Sequence, residues 1–456
     1  MMMPDVESDL LTRSRSQEIF AHVERKARSL GIHDVEAIIT AEDQALTRFA
    51  NNTIHQNVAE RSRHLSVRVL LDGRTARAST NRLDEEAIRA AVEEAAAIAR
   101  CQDRDPDLLP LAEPAIAPMA ARWFSGTATV SPEARAAAVA EAIRLVLAAG
   151  QVAAGIYSTG ESVIATCNSR SLFAYHAETM ARFSITAMTD DSSGWAKGSA
   201  CSYAALNVRE LAERAVRKAA ASRTPIELTP GHYTVILEPS AVSDLVGQMF
   251  GDFSATALRD GRSFLQDRLG TRLFGGNITI TDNVLHPLQS GPPFDGEGVP
   301  RRRLNLVDEG TVREIAYSRQ AGRLAGVEPT GHGFPVPNEY GEAPVNIVIA
   351  GGDVTLDEMI ASTGRGVLVT RLWYIREVDV YRKIMTGMTR DGTFLIEGGR
   401  IVRGLRNFRF NQSLVDLLCN VEALSPTERS SGEEAPDMVA PAMKVRDFHF
   451  SEVTRF

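Results

Sequence analysis

Two blocks of alternating apolar and polar residues, each closed by an amphipathic helix, constrain this chain more than any single motif. In the first, segments 35–41, 45–49, 53–58 and 64–71 read as strands, and Asp72-Gly73 supplies a hairpin turn before 74–79. Asp84 caps a helix whose inward face is Ile88, Val92, Ala95, Ala96 and Ala99. In the second, segments 155–158, 162–167, 172–177 and 181–189 lead through a turn at 190–194 to a strand at 196–203 and a helix at 208–222. Placing Asn52 on Asn168 offsets the blocks by 116 residues, as an internal duplication would. Side-chain identity between them is low, and two unrelated meanders explain the order equally well.

A helix at 14–30 precedes the first block, with Ile19, Phe20, Val23, Ala27 and Leu30 at helical spacing and Gly31 as its stop. Between the blocks, Pro106, Pro110, Pro114 and Pro118 mark 103–118 as a non-helical linker across a surface. A helix at 131–149 follows, capped by Ser131, with Val139, Ile143, Val146 and Leu147 on one face. Thr224-Pro225 and Thr229-Pro230-Gly231 mark the strongest boundary, with a strand at 232–237 after it. The expected organisation is therefore α+β in two domains: 1–225, an α/β domain of strand meanders and packing helices, and 226–456. The second domain holds a helix at 240–250, short strands at 277–281 and 345–350, a helix at 355–362 and a last strand at 443–450. The acidic, Ser- and Pro-bearing stretch 425–441 reads as an exposed excursion.

Composition excludes several functions. With Lys+Arg 50 against Asp+Glu 58, the net charge of −8 argues against non-specific nucleic-acid binding. Apolar runs fall far short of the roughly 20 residues a membrane helix needs. Residues 1–15 lack the charged-then-apolar order of a signal peptide, so a cytoplasmic chain is expected. Four cysteines without CxxC spacing read as reduced, structural thiols. The nine histidines, at 22, 33, 55, 64, 176, 232, 286, 332 and 449, form no HExxH cluster. GxSxG, SxxK and the phosphate-binding glycine loops are absent. The run Arg301–Arg303 suits an anionic partner, although a solvated turn is the preferred reading. Asp282 and the segment 294–300 (FDGEGVP) bring carboxylates close enough for acid–base work or a cation. Asp295 and Glu297 are read first as a structural turn, since Asp bonds its own backbone and Gly accepts positive φ.

The ordered segments 263–270 (SFLQDRLG), 278–282 (ITITD), 294–300 (FDGEGVP), 306–310 (LVDEG) and 386–399 (TGMTRDGTFLIEGG) resemble the TldD/PmbA family. That resemblance implies an N-terminal α/β domain and a C-terminal domain built around a curved, barrel-like sheet. It also implies a heterodimer of TldD-type and TldE (PmbA)-type subunits acting as a metallopeptidase on unfolded or small peptides. In the family only the TldD-type chain carries zinc, on a HExxxH helix and a later cysteine. Gly251-Asp252-Phe253 resembles the GDF that follows the motif. Counting back from Asp252 puts Val242 and Ser243 at the first His and the Glu, and Gly247 at the second His. Arg390 falls at the cysteine, and a guanidinium cannot ligate zinc. Val242, Leu245, Val246, Met249 and Phe250 form a continuous apolar stripe, as packing requires.

The resemblance therefore implies a TldE-type subunit with no catalytic or metal-binding residue of its own, zinc residing in a TldD-type partner. Arg390 and Asp391 are candidate contacts for peptide or partner, with a salt-bridged structural Arg390 as the equal alternative. A homodimer is the assembly expected when the chain is alone. A second reading is a stand-alone peptide-binding or regulatory module, where the family's older description as a modulator of DNA gyrase belongs. A third, an enzyme assembling a metal site from dispersed histidines, is weakest.

Overall fold

The computed structural model describes residues 8–454; residues 1–7, which are part of the 1–15 stretch read for a signal peptide, and 455–456 lie outside the described part. The first half is one antiparallel sheet of six strands: β1 (Asp34–Ala50), β2 (Thr53–Leu71), β3 (Arg74–Thr80), β4 (Val152–Asn168), β5 (Phe173–Met188) and β6 (Ser193–Ala200), in the order β3-β2-β1-β4-β5-β6. Four long helices accompany it, α1 (Arg13–Ser29), α2 (Glu85–Cys101), α3 (Pro132–Ala148) and α4 (Val208–Ala221), besides a single helical turn at Ser125–Ala128. Thus β1 and β4 pair at the centre, and each begins a three-stranded run closed by a helix. The two strands begin at 34 and 152, so the geometry is what a duplicated unit would give at an offset of 118 rather than 116.

The segments expected as separate strands merge. Residues 35–49 form one strand, as do 53–71, 152–168 and 173–188. The apolar pattern lapses at 53–64 because that part of β2 stands in solvent, while its backbone stays paired to β1. Asn51 and Asn52 turn β1 into β2 with φ of 49° and 60°, and Asp72 and Gly73 turn β2 into β3 with 51° and 73°; these are the left-handed pairs that two-residue hairpins demand. The helices are capped as their sequences imply, by Thr12, Asp84, Ser131 and Asn207. One inward assignment fails: Leu147 is exposed, one step round α3 from buried Val146.

The second half closes a barrel. Its strands are β7 (Gly231–Leu237), β8 (Arg365–Asp379), β9 (Ile384–Glu397), β10 (Phe408–Ser413) and β11 (Met443–Val453). The order β8-β7-β11-β10-β9 is completed by pairing of β9 with β8, so five strands form a ring. A smaller six-stranded sheet beside it includes Ile280–Asp282 and Ile347–Ile349, shorter than the sequence implied. The expected helix at 240–250 divides into α5 (Pro239–Val246) and a tighter 3-10 segment, Gly247–Asp252. Its apolar stripe lies in the barrel core with Val235, Val367, Phe408 and Phe448, each large side chain contributing about 1.5–3 kcal/mol.

The stretch 425–441 is not an exposed excursion. It contributes Glu428–Ser430 and Met438–Ala440 to the small sheet, and Ser430, Ser431, Met438, Val439 and Ala440 are buried. Several of its polar residues, Ser425, Arg429, Ser431 and Asp437 among them, are hydrogen-bonded within the protein, and composition alone does not separate that case from a solvated loop. No described helix is long and apolar enough to cross a membrane.

Candidate functional site

Helix α5 has two buried faces of opposite character. One is the apolar stripe. Along the other, Ser240 Oγ donates to the Ser431 carbonyl at 3.3 Å, Asp244 Oδ1 accepts the Glu433 and Glu434 N–H groups at 2.7 and 2.8 Å, and Gln248 Nε2 donates to the Glu434 carbonyl at 2.9 Å. Positions 240, 244 and 248 recur every four residues, so a strap, 431–437, lies lengthwise on this face. A Cβ built on Gly247 would stand 2.6 Å from Ala435 Cβ. The strap's other side is held by the N-terminal sheet: Lys197 Nζ donates to the Gly432 carbonyl at 2.6 Å and pairs with Glu433 at 3.1 Å, and the Ser199 hydroxyl meets Ser431 at 2.8 Å.

Burial pushes the Asp244 carboxyl up to about 6, against the pull of the strap's N–H groups. The folded state thus holds this proton more tightly than the unfolded chain. The resulting stability is fully present below the ordinary carboxylate value of about 3.9 and is lost as pH rises through about 6. Asp244→Asn keeps an acceptor but not the titration, so its stability relative to the parent should rise between pH 4 and 7 by up to about 3 kcal/mol. Urea unfolding of both proteins across that range measures this; parallel pH profiles would contradict it.

Arg390 flanks the same stretch of β8 from the other side. It pairs in register with Arg371, whose neighbour Leu372 turns its N–H to Asp244 Oδ2 at 3.4 Å. Arg371 and Arg390 both lie over the Trp373 ring, at 5.4 and 5.2 Å from its centroid, and Arg371 also lies 5.0 Å over Trp195. Asp391 takes hydrogen bonds from Ser193 Oγ at 2.6 Å and Arg371 Nε at 3.0 Å, so its carboxylate ties sheet to barrel. Arg390 remains half exposed, 3.7 Å from that carboxylate.

The FDGEGVP segment turns against the N-terminal sheet. Asp295 accepts N–H groups from Glu297, Val299 and Gly333 at 2.9–3.0 Å, and burial pushes its carboxyl up to about 6. Glu297 pairs with Arg319 at 2.8 Å and lies 3.8 Å from buried Arg68, which lies at the same distance from Glu36. Arg77 completes the chain of charges, 2.5 Å from Glu36. Asp282 is buried against His332, with Nε2 to Oδ1 at 3.2 Å, whereas Asp295 is held by backbone N–H groups.

The zinc that the resemblance implies for such a helix finds no fit here. Valine and glycine offer no donor atom, the lone heteroatom of the three, Ser243 Oγ, is buried without a partner, and Ala435 fills the space beside Gly247. Among the described residues no three His, Cys, Asp or Glu side chains converge as a metal-holding group. Sequence reasoning missed Asp244, Arg371 and the strap. A lone acid inside an otherwise uncharged helix was the available signal for Asp244.

Comparison with known proteins adds the following. Family models described as the PmbA/TldA metallopeptidase domain 1, central domain and C-terminal domain match residues 35–99, 127–223 and 230–452. A protein named Metalloprotease from Methanothermobacter thermautotrophicus is 24% identical over 245 residues, 50% of this chain and 51% of that one. Metalloprotease PmbA of Escherichia coli O157:H7 is 24% identical over 234 residues, 50% of this chain and 49% of that one. The chain thus spans about half the length of the curated relatives it matches. Among solved structures, TldE from Thermococcus kodakarensis superposes with a TM-score of 0.85 at 20% identity, covering 96% of this chain and 99% of that one. A putative modulator of a DNA gyrase from Thermotoga maritima gives 0.84 at 20% identity, covering 96% and 100%. At these identities the structural likeness concerns the fold.

Proposed function

The chain belongs to the PmbA/TldD family, and from that premise we propose that it is the TldE (PmbA)-type, non-catalytic subunit of a two-chain zinc peptidase acting on unfolded or small peptides. The observation that carries this reading is the strap on α5: positions 242, 243 and 247 supply packing, and Ala435 occupies the space a ligand at 247 would need. A TldD-type partner holds the zinc and the nucleophilic water, in the cytoplasm. This chain walls the chamber and completes a path in which an extended peptide pairs through its main chain. Half-exposed Arg390, already stacked on Trp373, is its contact for peptide or partner.

The test is to purify the chain alone and together with a homologue carrying HExxxH, then to measure zinc content and cleavage of an unfolded peptide. Zinc and cleavage are expected only where the partner is present. Stoichiometric zinc with cleavage by the isolated chain would overturn the assignment. If the two neither associate nor cleave, the stand-alone regulatory module takes its place, a reading favoured by the description given to the Thermotoga maritima protein.

A further inference from the structure

The run Arg301–Arg303 departs from a solvated turn at its first member. Arg302 is exposed and pairs with Glu314 at 3.4 Å, whereas Arg301 is drawn inward. Its Nε donates to the Phe294 carbonyl at 3.3 Å, and its Nη1 is shut off from solvent with no acceptor. Among the described residues no carboxylate forms an ion pair with it. Asp282 and Asp295 attract it only through space: Asp282 lies against His332 and accepts the N–H groups of Val345 and Asn346, and Asp295 accepts three backbone N–H groups. Burial opposes the guanidinium's charge, yet an arginine does not give it up.

Arg301 lines a cavity of about 420 Å³ where β5, β6, the loop 289–292, residues 345–346 and the strap meet. The other charges in that wall have partners. Lys197 holds Glu433 and the Gly432 carbonyl, and Asp437 is shared by Arg429 at 3.0 Å and Arg182 at 3.6 Å. Of the cations in that wall, Arg301 is the one without an ion pair among the described residues. The wall's two side-chain amides, Gln289 and Asn346, are already turned to the carbonyls of Ile347 and Ser290. A planar fork with an unpartnered N–H donor at a cavity wall selects a carboxylate, which it can bind through two parallel hydrogen bonds. The volume falls within the range of small-ligand sites and admits a short piece of peptide rather than a folded partner.

We propose that this cavity seats a peptide's C-terminal carboxylate on Arg301. The proposal rests on the reading of the chain as a peptide-handling subunit and adds to it the end of the peptide that is held. A charged C-terminus, present once in every linear peptide, gives the subunit a feature to grip whatever the sequence.

Calorimetric titration of the full chain, without partner, tests this with three probes: N-acetyl-trialanine as the free acid, the same peptide as its C-terminal amide, and an N-acetyl Ala-Asp-Ala amide. The free acid is expected to bind about tenfold or more tightly than its amide. Arg301→Gln should erase that difference, and Arg301→Lys should recover only part of it. Equal binding of acid and amide, or no binding of either, overturns the proposal on the unaltered chain, whatever the variants' folding. Equal binding of the Asp-containing amide and the acid overturns the assignment to the C-terminus and moves it to acidic side chains. Because no partner is present, loss of acid preference leaves the two-chain reading standing. Acid preference with no cleavage in the mixture would fault the two-chain reading instead.

Discussion

Writing the zinc motif back into α5, as Val242→His, Ser243→Glu and Gly247→His together, is expected to give a chain that loses most of its stability and takes up no stoichiometric zinc. Each position argues for this separately. Val242 lies wholly within the barrel core, where an imidazole without partners costs about 1–3 kcal/mol. Ser243 is fully buried with its hydroxyl unpartnered, and a buried carboxylate left unpaired costs about 3–5 kcal/mol. A side chain at 247 meets Ala435, and overpacking adds about 1–3 kcal/mol. Together these approach the total stability of an ordinary domain, about 5–15 kcal/mol. Thermal unfolding and zinc per chain are the measurements, and a folded triple variant holding one zinc would refute the packing argument. A smaller pair isolates its steric part. Gly247 has helical backbone angles, φ −55° and ψ −22°, so alanine there gains about 1 kcal/mol of helix propensity. Contact with Ala435 works against that gain. Adding Ala435→Gly to Gly247→Ala should therefore recover stability.

Much of this was legible in the chain, and the failures have physical causes. Helices with a capping residue and an apolar stripe were read to within a residue or two, because cap and periodicity are local signals: Asp84 and Ser131 both cap as expected. Hairpin turns at Asp72-Gly73 were legible because only a few residue types tolerate positive φ. Strand lengths were not. Hydrophobic alternation reports burial and not pairing, so it stopped where β1 and β2 leave the core while their backbones continue. The closure of the barrel came from the resemblance, since pairing of β8 with β9 and of β7 with β11 leaves no mark in local pattern. The strap was misread for a related reason. Its acidic, Pro-bearing composition is what a solvated loop shows, and its partners, Asp244 and Lys197, lie about 190 and 235 residues away in sequence. Arg301 was judged with its exposed neighbours, although successive residues of an irregular segment need not share an environment.

Arg68→Ala should be the most damaging single change at the join between the two halves, at about 3–5 kcal/mol of unfolding free energy. Arg68 and Glu36 are fully buried, and burial pushes the Glu36 carboxyl up and the Arg68 guanidinium down, so each charge persists only because of the others. Arg68 lies between two carboxylates, 3.8 Å from Glu36 and 3.8 Å from Glu297, distances of charge attraction rather than hydrogen bonding. Removing it leaves two buried acids facing a cavity, with Arg77 and Arg319 each serving one of them from outside. Since Glu36 is on β1 and Glu297 on the turn that meets the sheet, the loss falls on docking of the halves. Arg77 shares that duty through Glu36 and through the Val336 carbonyl at 2.8 Å. Combining Arg68→Met with Glu297→Gln removes opposite charges together and should cost well below the sum of the single changes, with a coupling of about 1–3 kcal/mol. Urea unfolding of the four proteins in that cycle gives the coupling directly. A cost below about 1 kcal/mol for Arg68→Ala, the range of exposed ion pairs, would mean that the cluster is solvated and does not hold the halves together.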